Sequence, residues 1–394
     1  MSQVKVQERL QALREQALRR DAPPDAWPRL QRRLRREPLR RAALIAGLAL
    51  GVLVASVVPG LLTRQAEQAP APAVDAPMVP GRPVVAARIR LDRSFADVDV
   101  GYGAVWLTGQ GELRRIDPRT NRVVATIPTP LTNQYASVAF GEEAVWVTSG
   151  SQAQGVVYRV DPAANRVTAA ISVPGGAFGV AVAAATVWIT QLDPDQPSPG
   201  PGVVARIDAR SGRLLAPIQL PSMPLTIRSG LDAIWVTSSG HPPPNPEPGG
   251  VSRIDPRSGT ITGQLGSVGN VMAVGGGALW GTFANSGEDS GVQRVDPTTG
   301  RVVATIRIPY GVLMAFGLGT LWVAQDASST AGPPEEPAKA KPGKLYRIDP
   351  VSNQVLGQPV PLPGIAPTAV AVGEGAVWVG ELDRKTLTRF NLIP

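Results

Sequence analysis

Side chains able to transfer a proton near neutral pH are scarce in this chain. Its single histidine is His241, in the proline-rich segment HPPPNPEPGG (241–250), and it contains no cysteine. A histidine pair for a metal ion, a charge-relay arrangement and thiolate chemistry are therefore excluded. His241 is left as the one candidate for a catalytic base, although its loop position is more typical of an exposed histidine without a catalytic role.

Carboxylates are the remaining groups on which an enzymatic mechanism could depend. Asp97, Glu288 and Asp289 would need raised pKa values to act as acids or bases, and loop carboxylates in water rarely acquire such shifts. The sequence also lacks a glycine-rich phosphate loop in context and a serine nucleophile elbow. We therefore predict no catalytic residue, no metal site and no cofactor.

Tryptophan recurs at regular intervals along the chain. A turn of small residues followed by an apolar-Trp-apolar strand occurs seven times, as in GAVWLT and DAIWVT, at spacings of 40 to 56 residues. A Trp in the middle of the second strand of every repeat predicts packing between neighbouring repeats rather than a cofactor site. These residues are Trp106, Trp146, Trp188, Trp235, Trp280, Trp322 and Trp378.

A second pattern, Arg-apolar-Asp and usually Pro, ends the strand that follows each Trp strand. An Asp side chain caps a turn, Pro presets φ, and the Asn or Gly that follows tolerates a left-handed conformation. Each pattern therefore predicts a tight hairpin leading into a fourth strand. The aspartates are Asp117, Asp161, Asp208, Asp255, Asp296 and Asp349, with Asn391 in the seventh repeat.

Seven four-stranded units of this period predict an all-β fold, a seven-bladed β-propeller over residues 84–394. The seventh repeat has only three strands before Pro394, whereas the segment VVAARIRL (84–91) is a spare strand that resembles the fourth strands. We expect this N-terminal strand to complete the last blade and close the ring.

The apolar-Trp-Val-Thr strand and the Arg-Ile-Asp-Pro hairpin resemble those of the YVTN, YncE-like and virginiamycin B lyase-like bacterial propellers. The resemblance covers about residues 84–394 and implies the fold more than the function, because one architecture carries many unrelated sites. The lyase reaction, as the resemblance implies, uses a channel-mouth histidine base with carboxylates that hold magnesium. This sequence shows no matching constellation, and only His241 is available as the base.

Length variation distinguishes the two faces of the predicted propeller. Insertions collect between the second and third strands, whose connections share one face with the links between blades; we call this the decorated face. The two hairpin turns of each blade lie on the opposite, hairpin face. Insertions on one face often mark a binding surface, although tolerated low-complexity loops explain them as well. The inserted segments are 193–202, 241–250, 284–291 and 326–344.

The loops that link one blade to the next should surround the mouth of the central channel. Their aromatic, thioether and amide groups suit a small or peptide-like ligand, and core packing explains much of the same composition. The candidate ligand-binding residues are Phe95, Asp97, Asn133, Tyr135, Phe178, Met223, Asn270, Met272, Tyr310 and Met314.

The formal charge of +8 is concentrated at the N-terminus. Residues 1–41 carry twelve Lys or Arg against five Asp or Glu, a net +7, which leaves about +1 for the rest. Phosphate binding needs clustered cations, so nucleic acid is excluded as a partner of the propeller.

One segment predicts a membrane anchor. Residues 42–62 contain no charge and are long enough to cross the hydrocarbon core as a helix. Arginines precede this span, so the basic stub 1–41 is expected in the cytoplasm and the propeller outside it. A cleaved signal peptide is the alternative, but its apolar core is shorter. The Pro/Ala-rich residues 63–83 should be an extended linker.

These patterns favour a membrane-anchored, extracytoplasmic binding or sensing module that docks a protein or small molecule on the decorated face. A lyase-like or hydrolase-like enzyme using carboxylates and a divalent metal is the first alternative. A cell-envelope scaffold is the second. Clustered carboxylates with perturbed pKa values at the channel mouth would favour the enzyme.

Overall fold

The computed structural model describes residues 77–394 except positions 110, 131–135, 151–153, 193–201, 240–249, 267–268, 287–288, 310–311, 326–341, 363–366 and 382–384. The predicted membrane span (42–62) and basic stub (1–41) lie outside this part of the chain. Within the described residues, no helix is long and apolar enough to cross a membrane.

Seven antiparallel sheets of four strands each make up this part of the chain, which confirms the predicted seven-bladed β-propeller. Blades 1 to 6 consist of β2–β5, β6–β9, β10–β13, β14–β17, β18–β21 and β22–β25, and blade 7 consists of β26, β27, β28 and β1. The strands are β1 Arg82–Arg90, β2 Phe95–Gly101, β3 Ala104–Gly109, β4 Glu112–Asp117, β5 Arg122–Pro128, β6 Val138–Gly141, β7 Ala144–Gly150, β8 Gln154–Asp161, β9 Arg166–Pro174, β10 Val180–Ala183, β11 Thr186–Leu192, β12 Gly202–Asp208, β13 Leu214–Leu220, β14 Pro224–Gly230, β15 Ala233–Ser238, β16 Gly250–Ile254, β17 Ile261–Leu265, β18 Val271–Gly275, β19 Ala278–Ser286, β20 Asp289–Val295, β21 Val302–Arg307, β22 Val312–Gly317, β23 Thr320–Gln325, β24 Lys344–Ile348, β25 Val360–Pro361, β26 Pro367–Gly373, β27 Ala376–Glu381 and β28 Thr386–Ile393.

The first strands of the blades form the inner ring of the molecule. Each packs against the first strand of the next blade, and β26 of blade 7 packs against β2 of blade 1, so the ring is closed. These inner strands are mostly buried, whereas the fourth strands alternate between exposed and half-buried residues. The core therefore lies between blades and around the axis.

Closure by the N-terminal strand occurs as predicted, with slightly different bounds. Strand β1 begins at Arg82 and ends at Arg90, and it pairs with β28 from Arg82 opposite Ile393 to Arg90 opposite Thr386. Arg88 of β1 also forms an ion pair of 2.6 Å with the mostly buried Glu381 of β27. The seam is thus held by backbone and side-chain contacts.

Turn chemistry explains the hairpin face. In all seven blades the first two strands are joined by two residues of positive φ. Glu142 and Glu143 have φ values of 51° and 57°, although neither is a glycine. In the six turns between third and fourth strands, the Asp carboxylate accepts a hydrogen bond from a backbone N–H group two or three residues later, as from Arg119 N to Asp117 (2.8 Å).

Outer edges are interrupted by β-bulges. In six blades the register between third and fourth strands shifts at or beside the repeat arginine, as between Arg115 and Ile116. A bulge bends the strand and disfavours pairing with a further strand.

One predicted insertion proves to be part of the sheet. Residues 284–286 extend β19 and residues 289–291 begin β20, with Ser286 paired to Asp289. The extra length there lengthens a hairpin instead of forming a loop, because strand pairing satisfies its backbone groups.

Candidate functional site

The repeat tryptophans lie between blades. All seven are at most 1% exposed. Trp106, for example, packs with Val138 and Phe140 of the next blade. Each indole Nε1 donates to the carbonyl oxygen of the residue five positions earlier, at the end of the first strand, over 2.9–3.2 Å. Each Trp therefore fixes its own first strand and covers the next blade.

An arginine stacks on every one of these rings, a contact that the sequence analysis missed. The guanidinium carbon lies 5.2–5.9 Å from the ring centroid in all seven blades. Arg115 of blade 1 then donates to Pro162 O (2.8 Å) and Asn165 Oδ1 (3.1 Å) in the hairpin of blade 2. The arginine thus joins a blade to its neighbour.

The arginines on either side of blade 7 make the same kind of contact at the seam. Arg389 of blade 7 donates to Pro118 O and to Asn121 Oδ1 (3.2 Å) of blade 1. Blade 7 has no hairpin for Arg347 of blade 6 to reach, and Arg347 binds Val79 O and Gly81 O (2.6 Å) instead. The segment before β1 therefore replaces that hairpin.

The predicted channel-mouth residues fall into several environments. Phe95 and Asp97 lie within β2 and Met314 within β22, so they belong to inner strands and not to loops; all three are buried. Phe95 and Met314 pack in the core. The inner strands begin earlier in the chain than the sequence indicated.

Three other candidates lie before inner strands and are partly exposed. They are Phe178, Met223 and Asn270, whose carbonyl oxygens accept bonds from Thr148 Oγ1 (2.6 Å), Ser239 N (2.9 Å) and Thr282 N (3.0 Å).

The side chains of the remaining candidates are not among those that the structure describes. Met272 is in β18, but its side chain is not described. Asn133, Tyr135, Tyr310 and His241 lie outside the described residues.

One position of the inner strands departs from the repeat. The residue paired directly with each Trp is alanine in five blades, Asp99 in blade 1 and Arg228 in blade 4. The alanines are Ala139, Ala181, Ala273, Ala315 and Ala371. The sequence already carried this signal, because the position is always seven residues before the Trp.

These two residues and Asp97 are the charged residues of the described inner strands β2, β6, β10, β14, β18, β22 and β26. Asp97, Asp99 and Arg228 are 0%, 2% and 5% exposed. Blades 1 and 4 are three steps apart one way round the ring and four the other. Strands β2 and β14, which carry them, therefore lie on opposite sides of the ring.

Backbone groups hold these side chains in place. The two carboxylate oxygens of Asp97 accept bonds from Val98 N (3.0 Å) and from Val138 N of blade 2 (3.2 Å). One oxygen of Asp99 accepts from Val100 N (2.9 Å). Arg228 Nη1 donates to Ile227 O (2.8 Å). Fixed, buried charges of this kind interact more strongly with other charges than exposed ones do.

Metal binding would need more ligands than this arrangement offers. Within the described part of the chain, no three His, Cys, Asp or Glu side chains are grouped so that they could hold a metal ion. Blade 1 contributes two carboxylates and blade 4 a cation. Proton transfer would need a group that titrates near neutral pH.

No protein-family model matches the chain, and no curated protein matches it in sequence. Among solved structures, Kuenenia stuttgartiensis hydrazine synthase is 11% identical, with a TM-score of 0.57 over 78% of this chain and 98% of that chain. The WD40 propeller domain of Doa1 is 12% identical (TM-score 0.56; 78% and 96%), and the Neurospora crassa Pan2 WD40 domain is 11% identical (0.56; 80% and 98%). At these identities the similarity shows the propeller fold alone.

Proposed function

We propose that this protein is a membrane-tethered binding module of the cell envelope. Residues 42–62 form its single membrane helix, the stub 1–41 lies in the cytoplasm, and the propeller lies outside and docks a protein or small molecule on the decorated face. Support for the orientation comes from the arginines that precede the apolar span.

The contrast between the two faces carries the proposal. Every link between first and second strands has two residues, whereas the links between second and third strands range from two residues in blade 1 to eighteen in blade 6. Turn length on the hairpin face is thus set by strand geometry alone. Loops on a rigid scaffold are the usual place for recognition, which favours binding at the decorated face.

The path of the chain into the propeller supports this display. Val79 N donates to Leu318 O (3.1 Å), in a turn of the hairpin face, and Gly81 O accepts from Arg347. The chain therefore enters on the hairpin face. The decorated face lies at the opposite end of the propeller from the point of attachment.

We also propose that the chain belongs to the YVTN and YncE-like group, because it repeats the strand and the hairpin of that group. The Thr of this strand has the same role in two blades: Thr108 Oγ1 donates to Ala136 O (3.1 Å) and Thr148 Oγ1 to Phe178 O, each in the next blade. The lyase chemistry of the resembling enzymes is not part of the proposal. We expect no turnover of cyclic depsipeptide lactones by the purified chain.

Protease treatment of intact cells tests the location. With an epitope tag at Pro394, external protease should remove the tag signal while a cytoplasmic control protein stays intact. Protection of the propeller in intact cells, with digestion only after lysis, would contradict the proposed orientation.

Site-specific photo-cross-linking tests the binding face. A photoreactive amino acid replaces Lys344, exposed at the decorated face, or as matched controls Glu143 and Val351, exposed on the hairpin face. Adducts in living cells should form from Lys344 and not from the controls. Adducts from the controls alone, or from none of the three, would refute docking on the decorated face.

A further inference from the structure

We propose that the hairpin face of the propeller lies on the surface of a phospholipid bilayer that contains anionic lipids. Apolar side chains at the outer edge of this face enter the boundary between headgroups and acyl chains, and arginines beside them bind lipid phosphates. The inference rests on the proposed membrane tether and deepens it by naming the surface that the hairpin face contacts. In this arrangement the decorated face is directed away from the lipid.

Exposed apolar side chains are concentrated at the hairpin end of the propeller. In the described part of the chain, every large hydrophobic residue that is at least 37% exposed lies in the segment that enters the propeller, in a hairpin turn or within the first four residues of a fourth strand. Such surfaces mark contacts with another protein or with a membrane. We call these residues the apolar rim; they are Met78, Val79, Val85, Tyr102, Val123, Val124, Leu214, Leu215, Ile261, Val302, Val303 and Val351.

Strand register places much of the apolar rim at one level along the propeller axis. In blades 1, 3, 4 and 5 the first rim residue of the fourth strand pairs with the residue that precedes the turn aspartate. These rim residues are Val123, Leu214, Ile261 and Val302. Val351 in blade 6 and Val85 in blade 7 continue the series. Apolar groups that run round most of the ring at one end are complementary to a plane as wide as the propeller, which a membrane offers.

Arginines stand beside the apolar rim. Arg122, Arg213 and Arg301 directly precede rim residues in the chain, and their side chains are exposed. A guanidinium group binds phosphate through two parallel hydrogen bonds, while its aliphatic stem packs on apolar surface. Arginine next to aliphatic residues therefore suits the boundary between lipid headgroups and acyl chains. Further exposed arginines in or next to the turns that lead into fourth strands are Arg119, Arg166, Arg210 and Arg257.

Exposed carboxylates on the same face lie nearer the axis. Glu142, Glu143, Asp232 and Glu374 belong to turns between first and second strands, which form the inner part of the face. The turn aspartates of the outer part are half-buried and accept bonds from backbone N–H groups. In the described part of the chain, the exposed charged side chains of the outer turns are thus all arginine, which favours an anionic surface.

The point where the chain enters favours a membrane as the surface that covers the rim. Met78 and Val79 are themselves rim residues, and Val79 N donates to Leu318 O (3.1 Å) in a hairpin turn. Residues 63–78 separate this point from the predicted membrane span, so even at full extension they keep it within about 60 Å of the bilayer. A tether of this length keeps the local concentration of the lipid surface high, and weak contacts then suffice to hold the face against it.

Single-cysteine labelling of the full chain in vesicles tests the contact, because the chain contains no cysteine of its own. A bimane label is placed on the rim by Leu215→Cys or Val303→Cys, and away from it by Gln219→Cys or Lys344→Cys. Gln219 is exposed in the same strand as Leu215, about 13 Å further from the hairpin face. The vesicles contain phosphatidylcholine, phosphatidylglycerol and a phosphatidylcholine that is spin-labelled on its headgroup.

Rim labels should be quenched by the spin label, and control labels should not. Insertion by about 5–10 Å brings a rim label among the headgroups, so it should lose about half of its emission, whereas both controls should lose almost none. Equal quenching at all four positions, or quenching of the controls alone, would overturn the proposal. Absence of quenching at the rim in vesicle-bound protein would overturn it as well.

Charge variants give a second measurement. The rim variant carries Arg122→Gln, Arg213→Gln and Arg301→Gln. The control variant removes three exposed arginines near the opposite ends of outer strands by Arg90→Gln, Arg93→Gln and Arg307→Gln. Each cation near an anionic surface favours binding roughly fivefold, so the rim variant should lower the ratio of bound to free propeller about 100-fold and abolish quenching. Equal quenching in both variants would contradict the assignment of these arginines to lipid phosphates.

Flotation separates failure of this contact from failure of the proposed function. Full chain that does not float with the vesicles would contradict the membrane tether, and the lipid contact with it. Chain that floats with unquenched rim labels would contradict the lipid contact alone. Dimers in detergent that are cross-linked through Val303→Cys would identify a second copy of the chain as what covers the rim, and would overturn the proposal.

Discussion

Replacing Arg389 by alanine removes the side chain that joins the last blade to the first. Its guanidinium carbon lies 5.2 Å from the centroid of Trp378, and it donates to Pro118 O and Asn121 Oδ1 of blade 1 and to Asn391 Oδ1 (2.9 Å) of its own blade. A partly desolvated cation–π contact is worth about 1 kcal/mol, and a hydrogen bond from a charged donor about 1.5 kcal/mol at the low end. One stacking contact and three hydrogen bonds therefore give an expected loss of about 5.5 kcal/mol.

Arg294 provides a matched control within the same molecule. It stacks on Trp280 at 5.9 Å, and its buried Nε has no hydrogen-bond partner. Arg294→Ala should therefore lose about 1 kcal/mol, mostly the stacking contribution. The difference of about 4.5 kcal/mol is the expected contribution of the three hydrogen bonds of Arg389, two of which reach blade 1.

Urea unfolding of the full chain in detergent, followed by near-ultraviolet circular dichroism, measures both losses. Arg389→Lys should behave nearly like the alanine variant, because an ammonium group lacks the planar fork that reaches two acceptors. Equal losses for Arg389→Ala and Arg294→Ala would refute the reasoning, since the bonds across the seam would then contribute nothing.

Four further outcomes are expected. Backbone N–H groups, chiefly that of Thr299, hold the pKa of Asp296 below its ordinary value, so its stabilisation is present above about pH 4 and is lost as the pH falls through the folded-state pKa; melting curves of Asp296→Asn should show a shallower decline in acid. Deleting residues 82–90 exposes β28 as an edge and should cause aggregation, visible by light scattering, whereas a deletion mutant that melts like the parent would mean closure by another route. Glu143→Gly should raise the melting temperature by relieving a positive φ, and an unchanged or lower value would argue against strain there. Trp235→Phe should cost more than about 1 kcal/mol in urea unfolding, because Gly230 O loses its donor and a cavity remains.

The sequence predicted the fold well because the features that set it are local. Each turn with its Trp strand, and each Asp-capped hairpin, is a short stretch of sequence, so turn chemistry and alternation identify one blade after another. The closing strand followed from counting strands, and its bounds moved by one or two residues. The long links on the decorated face do not disturb this pattern, because they begin where strands end.

The site was less predictable because it depends on register. Along the chain, Trp322 and Arg347 are twenty-five residues apart, and only strand pairing brings them together. Phe95 and Met314 were placed in loops, but strand pairing continues through them and buries both. Aligning the repeats on their tryptophans would have revealed Asp99 and Arg228, since the departure from alanine is visible there.

The pairing of Arg82 with Ile393 has a consequence for how the chain order relates to the ring. In the other blades a hairpin turn joins the third strand to the fourth. In blade 7 the end of β28 and the start of β1 lie side by side at that place, without a turn between them. Joining them with a few residues and opening another hairpin, for example at Ser258, would give a circular permutant with the same blades and the same neighbours. Blade order along the gene and blade order around the axis are therefore separable, and the blade to which residues 1–81 are joined could be changed without altering the ring.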